Sequence, residues 1–189
     1  MYAIIYWETS DCAPRAIVHA DGEMQIFGKL KDADAFANEF ETNIWDSEVP
    51  YFGVPPDVDG DGKITVFIMD IEDGLSGSSY IAGVFLRLHE YDPASFPSDP
   101  IIQHSMLMEI VHIDTQAISS GNANGTLAHE FQHLIHFNSD PDETLWIDEA
   151  AATFAEFGFV AVPASTHLHI QTFPAGLLRR VGVFDAISV

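Results

Sequence analysis

The feature that most constrains this chain is the segment His129-Glu130-Phe131-Gln132-His133, in which two histidines stand four residues apart. On an α-helix with about 3.6 residues per turn, positions i and i+4 lie on one face. Both imidazoles can therefore reach one metal ion, while Glu130 is placed beside a water on that ion. These residue types at this spacing predict a zinc site in which the glutamate acts as a general base.

The residues around this segment favour a helix that packs on one side only. An apolar stripe at helical spacing is formed by Leu127, Phe131, Leu134 and Ile135. The two histidines lie away from the centre of that stripe, so the opposite side of the helix is left to present ligands. Residues 122–126 supply turn and N-cap chemistry before the helix, and residues 138–141 are expected to end it. A surface helix that happens to carry two histidines is the alternative interpretation.

A catalytic zinc needs a third protein ligand and an open position for water. One known continuation places a glycine three residues after the second histidine and a third histidine three residues further on. His136 and Ser139 occupy those two positions here, so that continuation is excluded. The remaining answer is a carboxylate from a following helix.

The segment from Trp146 to Gly158 predicts that second helix. It is rich in alanine, has acids near its start and carries a glycine where a helix commonly ends. Glu149, Thr153 and Glu156 share one face of this helix. An apolar stripe is expected on another face, at Ile147, Ala151 and Phe154.

Taken together, the two helices resemble those of the gluzincin metallopeptidases. In that family the third zinc ligand lies in a Trp-x-Asn-Glu-Gly/Ala segment, which is similar to Trp146-Ile147-Asp148-Glu149-Ala150 here. The stretch from Tyr51 to Glu156 is most similar to the hyicolysin-like branch, through residues 57–65, 113–115 and 128–135. The one departure is Asp148, which adds charge where the family has asparagine but leaves the ligand position intact.

The resemblance implies a set of roles and a fold. His129, His133 and Glu149 are expected to bind Zn²⁺, and Glu130 is expected to be the catalytic base. The implied fold is α+β and zincin-like, with a mixed β-sheet packed on the active-site helix and a second helix that carries the third ligand. A peptide or protein substrate is expected to add as a strand near residues 82–85, at a sheet edge. An ordinary core strand is the alternative for that segment.

Coarse patterning along the chain is compatible with this fold. Strands are predicted as a pair within Arg15–Phe27 that turns at Asp21-Gly22, and at Ile64–Met69, Tyr80–Phe85 and Met106–Thr115. A helix is predicted over Asp32–Trp45, with Ala33, Phe36, Ala37, Phe40 and Ile44 as its inner face. At 189 residues the chain is expected to be a single domain. Residues 1–116 would supply mainly sheet and one helix, and residues 117–189 would supply the two site helices and a short C-terminal segment.

Three further polar residues near the motif have two interpretations each. Asp148 and Glu156 could each accept a hydrogen bond from a ligating histidine and fix its orientation. Alternatively they are solvated acids on a helix surface. His136 shares the face of His129 and His133, but it is expected to be a surface or packing histidine and not a ligand.

A second candidate metal site lies earlier in the chain. Asp57, Asp59 and Asp61, followed by Gly62, match the opening of a calcium loop with oxygen ligands at positions 1, 3 and 5 and glycine at position 6. Position 12 falls on Ile68, so a Ca²⁺ ion would need another donor, with Asp70, Glu72 and Asp73 as candidates. An acidic turn before a strand is the alternative interpretation.

The composition narrows the possible partners. The 29 acidic residues outnumber 7 basic ones and give a net charge of −22, which argues against binding to nucleic acid or to an anionic membrane. The sequence has no run that could insert into a membrane, and its one cysteine, Cys12, excludes an internal disulfide.

The acidity suits an extracellular or high-salt setting. Residues 3–7 are too short for a signal-peptide core, so secretion would require a signal that was removed or lies outside this sequence. Oligomeric state is not indicated.

Two functional hypotheses follow. The favoured one is a zinc-dependent metalloendopeptidase that hydrolyses peptide bonds with Glu130 as general base. The alternative is a non-catalytic binding module, stabilised by zinc or calcium and derived from such an enzyme. Beyond Glu149, only His167 and His169 are available to stabilise an oxyanion, and the tail is short. The presence of Glu130 favours the enzyme, since a binding module needs no base there.

Overall fold

The computed structural model describes the backbone of residues 3–5, 16–20, 30–71, 73–74 and 79–158, with side chains from residue 35 onward. Within these ranges the strands are β1 (Ala3–Ile5), β2 (Ala16–Ala20), β3 (Ile64–Met69), β4 (Gly83–Phe85) and β5 (Ile110–Asp114). The α-helices of the same ranges are α1 (Leu30–Glu39), α2 (Trp45–Phe52), α3 (Thr115–Ser120), α4 (Ala123–Ser139) and α5 (Leu145–Gly158). None of these helices is both long and apolar enough to cross a membrane.

The described strands form one mixed sheet in the order β1-β2-β3-β5-β4. The three middle strands run parallel, while β1 and β4 are antiparallel to their neighbours at the two edges. Strands β3 and β5 are almost entirely buried, which is typical where both faces of a parallel pair are covered. The prediction of a mixed α+β chain with a buried strand at Ile64–Met69 is therefore confirmed. The predicted edge position of the Phe85 segment agrees with the described strands, among which β4 is the last of the sheet.

The strand pair predicted within Arg15–Phe27 is described only in its first half. That half is β2, whose neighbours are β1 and β3. Residues 21–27, which include the predicted turn, lie outside the described residues. Local patterning could not reveal the parallel pairing of β2 with β3, because it joins segments that are far apart in the chain.

The helix predicted over Asp32–Trp45 begins slightly earlier and ends later than expected. A π-helical turn (Phe40–Ile44) joins α1 to α2, so helical backbone continues to Phe52. Pro50 lies inside α2, where it has no N–H to donate to the carbonyl of Asp46, and the helix ends soon after it, at Gly53. Gly53 has a φ of 116°, and its N–H donates to the carbonyl of Val49 at 3.0 Å. The described members of the predicted inner face are all buried: Phe36, Ala37, Phe40 and Ile44.

The hydrophobic core lies between the sheet and the helices on one of its faces. From α4 it contains the predicted stripe of Leu127, Phe131, Leu134 and Ile135, each fully buried. The ring of Phe131 packs edge-on against Phe40 with centroids 4.9 Å apart, and it stacks on Trp45 at 5.6 Å. Full burial of each such side chain stabilises the fold by about 1.5–3 kcal/mol. These contacts fix the rotation of α4 about its own axis.

Several element boundaries differ from the sequence prediction. Strand β4 starts at Gly83 and not at Tyr80, and β5 spans Ile110–Asp114 within the predicted Met106–Thr115. Strand β5 ends where it does because the Asp114 carboxylate accepts a hydrogen bond from Gln116 N at 2.6 Å and thereby caps α3. Helix α4 already begins at Ala123, so residues 123–126 are helical and not a turn.

The apolar stripe predicted for α5 is wrong. Phe154 is 48% exposed, and the buried residues of this helix are Ala152 and Ala155. Helix α5 packs against α4, and small side chains at a helix interface allow the close approach that brings polar groups of the two helices together. Phe154 instead lies beside Tyr51 of α2, with ring centroids 5.5 Å apart.

Gly83 is the point where the edge strand comes closest to α4. A Cβ at this position would lie 2.6 Å from Thr126 Cγ2, 2.9 Å from the carbonyl oxygen of His112 and 3.0 Å from Glu130 Cγ. Real Cβ atoms do not approach other atoms so closely, and one of the three neighbours is backbone. Only glycine therefore fits between β5 and α4 at this position.

We expect Gly83→Ala to destabilise the protein by about 1–3 kcal/mol, because overpacking displaces the strand or the helix. Thermal unfolding followed by circular dichroism measures the change. Gly158→Ala is the matched control, since its nearest neighbour would lie at an ordinary 3.5 Å from the new Cβ. Equal melting temperatures for Gly83→Ala and the wild type would contradict the close packing described here.

Candidate functional site

Helix α4 presents His129 and His133 on the face that is turned away from its apolar stripe. Their ring centroids lie 4.9 Å apart with the planes at 75°. The side chains remain 19% and 11% exposed, respectively, so both are shielded but still reachable. The helix can present them in this way because Phe131, between them in sequence, anchors the opposite side in the core.

Helix α5 brings Glu149 to the same place. Its Oε2 lies 3.5 Å from His129 Nε2, and its Oε1 lies 3.9 Å from His133 Nε2. One potential ligand atom from each of the three residues falls within 4.8 Å of the others. Two atoms held at about 2.1 Å by one tetrahedral zinc lie roughly 3.4 Å apart. The three side chains therefore fit one such ion with little rearrangement.

The outer ring nitrogens of the two histidines face carboxylates. His129 Nδ1 lies 3.5 Å from Glu156 Oε2, and His133 Nδ1 lies 3.0 Å from Asp148 Oδ1. In metal sites such acceptors hold the imidazole in the tautomer and orientation that leave Nε2 for the metal. Both acids for which the sequence left two interpretations are thus in contact with a histidine of the site.

His136 is close to the site but is not part of it. Its Nδ1 lies 3.1 Å from Asp148 Oδ1, so it shares that carboxylate with His133. Among the described residues, the group that could hold a metal here consists of His129, His133 and Glu149 alone. This placement agrees with the expectation of a packing histidine.

The carboxylates govern the protonation of the site. Burial opposes a charge on His129, but contacts with Glu149 and Glu156 outweigh it and raise the pKa of His129 to about 10. Burial alone would raise the pKa of Glu149, but the contact with His129 and the nearby His133 lower it below the ordinary value. A metal ion must displace a proton from this arrangement, so its binding is expected to release protons.

Glu130 is held by the edge strand. It is 7% exposed, and its Oε2 accepts a hydrogen bond from the N–H of Phe85 at 2.8 Å. Burial raises the pKa of Glu130, while His129 and His133 lower it again. A carboxylate whose proton affinity is raised in this way is suited to accept and return a proton.

The acids that lie together near the predicted calcium loop differ in one member from those expected. Asp57, Asp59 and Asp61 lie together, and the fourth acid beside them is Glu109. Asp73, a predicted donor, instead accepts a hydrogen bond from Ile81 N at 2.6 Å, and position 72 lies outside the described residues. The sequence analysis missed Glu109 because only the pairing of β3 with β5 brings it to the loop.

His167 and His169, the candidates for oxyanion stabilisation, also lie outside the described residues.

Glu48 of α2 is a buried acid that no sequence motif indicates. It is 0% exposed, and neither carboxylate oxygen has a hydrogen-bond partner in the described part of the chain. Burial raises the pKa of Glu48 to about 9, although the nearby His129 lowers it somewhat. The folded protein therefore holds Glu48 in its protonated form over most of the neutral range.

Similarity to a known protein bears on the chemistry of this site. The neutral metalloprotease ShpI of Staphylococcus hyicus is 30% identical over 149 residues, which cover 70% of this chain and 32% of ShpI. The chain resembles part of a metalloprotease. It spans about a third of the length of that relative, and the match supports a metalloprotease family. No protein-family model matches the chain.

The titration of Glu48 yields a prediction for stability. Between its ordinary pKa of 4.5 and about 9, the folded state keeps a proton that the unfolded state releases. Stability is therefore lost as the pH rises through this window, by about 1.4 kcal/mol per pH unit. We expect the melting temperature of the metal-free wild type to fall more steeply between pH 5 and pH 8.5 than that of Glu48→Gln.

The matched control is Glu39→Gln at the end of α1, where the carboxylate accepts a hydrogen bond from Asn43 of the adjoining turn at 2.7 Å. This variant should keep the wild-type slope. Parallel pH profiles for wild type and Glu48→Gln would show that Glu48 does not carry its proton into the neutral range.

Proposed function

We propose that this chain is the catalytic part of a zinc-dependent metalloendopeptidase of the gluzincin type, with a zincin-like arrangement of its sheet and site helices. The observation that carries the proposal is the convergence of His129 Nε2, His133 Nε2 and Glu149 beside Glu130. Two imidazoles and one carboxylate form the donor set of a catalytic zinc, which leaves a position for water. The similarity to a metalloprotease supports a peptide-hydrolysing activity at the family level.

The residues of the site divide the work among them. His129 and His133 would hold the ion through Nε2, while Glu156 and Asp148 keep the two rings oriented from the other side. Glu149 would complete the protein ligands from α5. When bound, zinc lowers the pKa of a water molecule and polarises the carbonyl of the peptide bond.

Glu130 would perform the proton transfers. Its position beside the two histidines is fixed by the hydrogen bond from Phe85 N, so one oxygen is anchored to the sheet. The carboxylate would accept a proton from the attacking water and donate it to the leaving amine. The same hydrogen bond from Phe85 N also keeps the carboxylate of Glu130 at a fixed distance from the edge strand β4.

The substrate in this proposal is an extended peptide that lies along β4. Strand β4 ends the described sheet, so its outer edge can pair with one more strand. The hydrogen bond between Phe85 and Glu130 places that edge next to the base. An extracellular location belongs to the same proposal, because a chain with a net charge of −22 suits a setting rich in salt and divalent cations.

Replacement of Glu130 by glutamine tests the proposal. Glutamine keeps the size of the side chain and an oxygen for Phe85 N, but it cannot accept the proton of the water. General-base catalysis is typically worth 10²–10⁴-fold, so cleavage of casein or of a peptide library should fall by at least about a hundredfold. Bound zinc, measured by mass spectrometry of the metal, should remain at the wild-type level.

Glu39→Gln again provides the control, since it makes the same change at a carboxylate that contacts Asn43, and it should cleave at the wild-type rate. Full activity of Glu130→Gln would overturn the mechanism. A wild-type protein that binds zinc but cleaves no peptide would instead favour the non-catalytic binding module.

A further inference from the structure

We propose that Asp57, Asp59, Asp61 and Glu109 form a calcium site that fastens the loop before β3 to the start of β5. One potential ligand oxygen from each of the four acids lies within 4.8 Å of the others. The site is separate from the proposed zinc centre in its residues and in its donors. It concerns stability and not the chemistry of peptide cleavage.

The backbone of the loop brings the carboxylates of Asp57, Asp59 and Asp61 close to one another. Gly60 and Gly62 have φ values of 79° and 69°, which let the backbone turn sharply between the aspartates. The Asp57 carboxylate accepts a hydrogen bond from Gly62 N at 3.0 Å through one oxygen. Asp59 and Asp61 each accept one from the backbone within the loop, at 3.0 Å and 2.8 Å. The three carboxylates are thus ordered before any cation arrives.

The observation that points to a ligand is the state of Glu109. This side chain is only 1% exposed; its Oε1 accepts a hydrogen bond from Val58 N, while its Oε2 is buried and has no hydrogen-bond partner among the residues that the structure describes. Burial of a carboxylate oxygen without a partner is strongly unfavourable. A cation among the four acids would provide the missing partner.

A fifth acid, Glu90, lies buried beside the group. Burial and the nearby Glu109 and Asp59 raise the pKa of Glu90 to about 8, and in the described part of the chain neither of its oxygens has a hydrogen-bond partner. Within the described residues, neither Lys63 nor Arg87 forms an ion pair with this group. A divalent cation is the charge that the arrangement lacks.

The donors indicate which cation. All four are carboxylate oxygens, which suit calcium or magnesium and not the softer metals that prefer nitrogen or sulfur. Calcium accepts irregular oxygen geometry with carboxylates in one- or two-oxygen contact, whereas magnesium requires a near-ideal octahedron. Glu109 reaches the loop from the position just before β5 and would take the place of the ligand that position 12 lacks in this chain. Calcium is therefore the better fit.

Such an ion would connect the start of the central strands to the segment that precedes the loop and contacts α4. Thr65 N of β3 donates to the carbonyl of Glu109 at 2.8 Å, so Glu109 lies where the two central strands begin to pair. At the other end of the loop, Asn138 of α4 donates to the carbonyl of Val54 at 3.0 Å. The ion would therefore link the strands to the segment that contacts the end of α4.

Calcium titration of the zinc-loaded full chain tests this site. Isothermal titration calorimetry should find about one calcium per chain, and the melting temperature should rise by about 5–10 °C at a calcium concentration a hundredfold above the Kd. Magnesium at the same concentration should have a much smaller effect. No calcium response at concentrations up to about 10 mM would overturn the proposal, since even weak extracellular sites bind at 10⁻⁴–10⁻³ M.

The variant Glu109→Gln separates a calcium ligand from a merely structural side chain. Glutamine retains an oxygen for Val58 N but removes the buried charge, so without calcium this variant should be at least as stable as the wild type. With calcium the order should reverse, because the affinity falls by at least about tenfold. A loss of stability under both conditions, or an unchanged calcium response, would contradict the assignment. Asp142→Asn, which makes a similar charge change at an exposed residue, should respond to calcium as the wild type does.

Discussion

The structure depends above all on helix α4, which packs in the core with one face and carries His129 and His133 on the other. Phe131 and its neighbours in the apolar stripe are fully buried between the sheet and α2, which fixes the rotation of the helix. Because His129 and His133 lie opposite that stripe, the same packing orients them toward α5. The alanines of α5 then allow the approach that brings Glu149 within 3.5–3.9 Å of both Nε2 atoms. Core packing and site geometry thus have one cause.

A second constraint is electrostatic. Acidic residues surround the two histidines from α5, so that each imidazole meets one carboxylate at Nε2 and another at Nδ1. In the absence of metal, the contacts with Glu149 and Glu156 outweigh burial and raise the pKa of His129 to about 10, which favours its protonated form. This arrangement is also the one that a bound cation would stabilise, because the ion would take the place of the protons.

Local periodicity was enough to predict helices α4 and α5 and the shared face of α4 that carries His129 and His133. The four-residue spacing of His129 and His133 and the apolar stripe beside them depend only on helical geometry, which neighbouring residues determine. Glu109 could not be assigned in that way to the loop of Asp57, Asp59 and Asp61, since the pairing of β3 with β5 brings it there from a distant segment. The α5 stripe was predicted wrongly for a related reason. Phe154 packs beside Tyr51 of α2, and the sequence of α5 alone does not indicate that contact.

X-ray absorption at the zinc edge, recorded on the zinc-loaded protein, measures directly which residues hold the ion. We expect scattering from two imidazoles with oxygen atoms as the other ligands, at distances of about 2.0–2.2 Å. Glu149→Ala should lower zinc occupancy sharply, while Asp148→Ala should change the affinity but retain two imidazoles. A third imidazole from His136, sulfur from Cys12, or full zinc occupancy in Glu149→Ala would contradict the assignment of His129, His133 and Glu149 as the ligands.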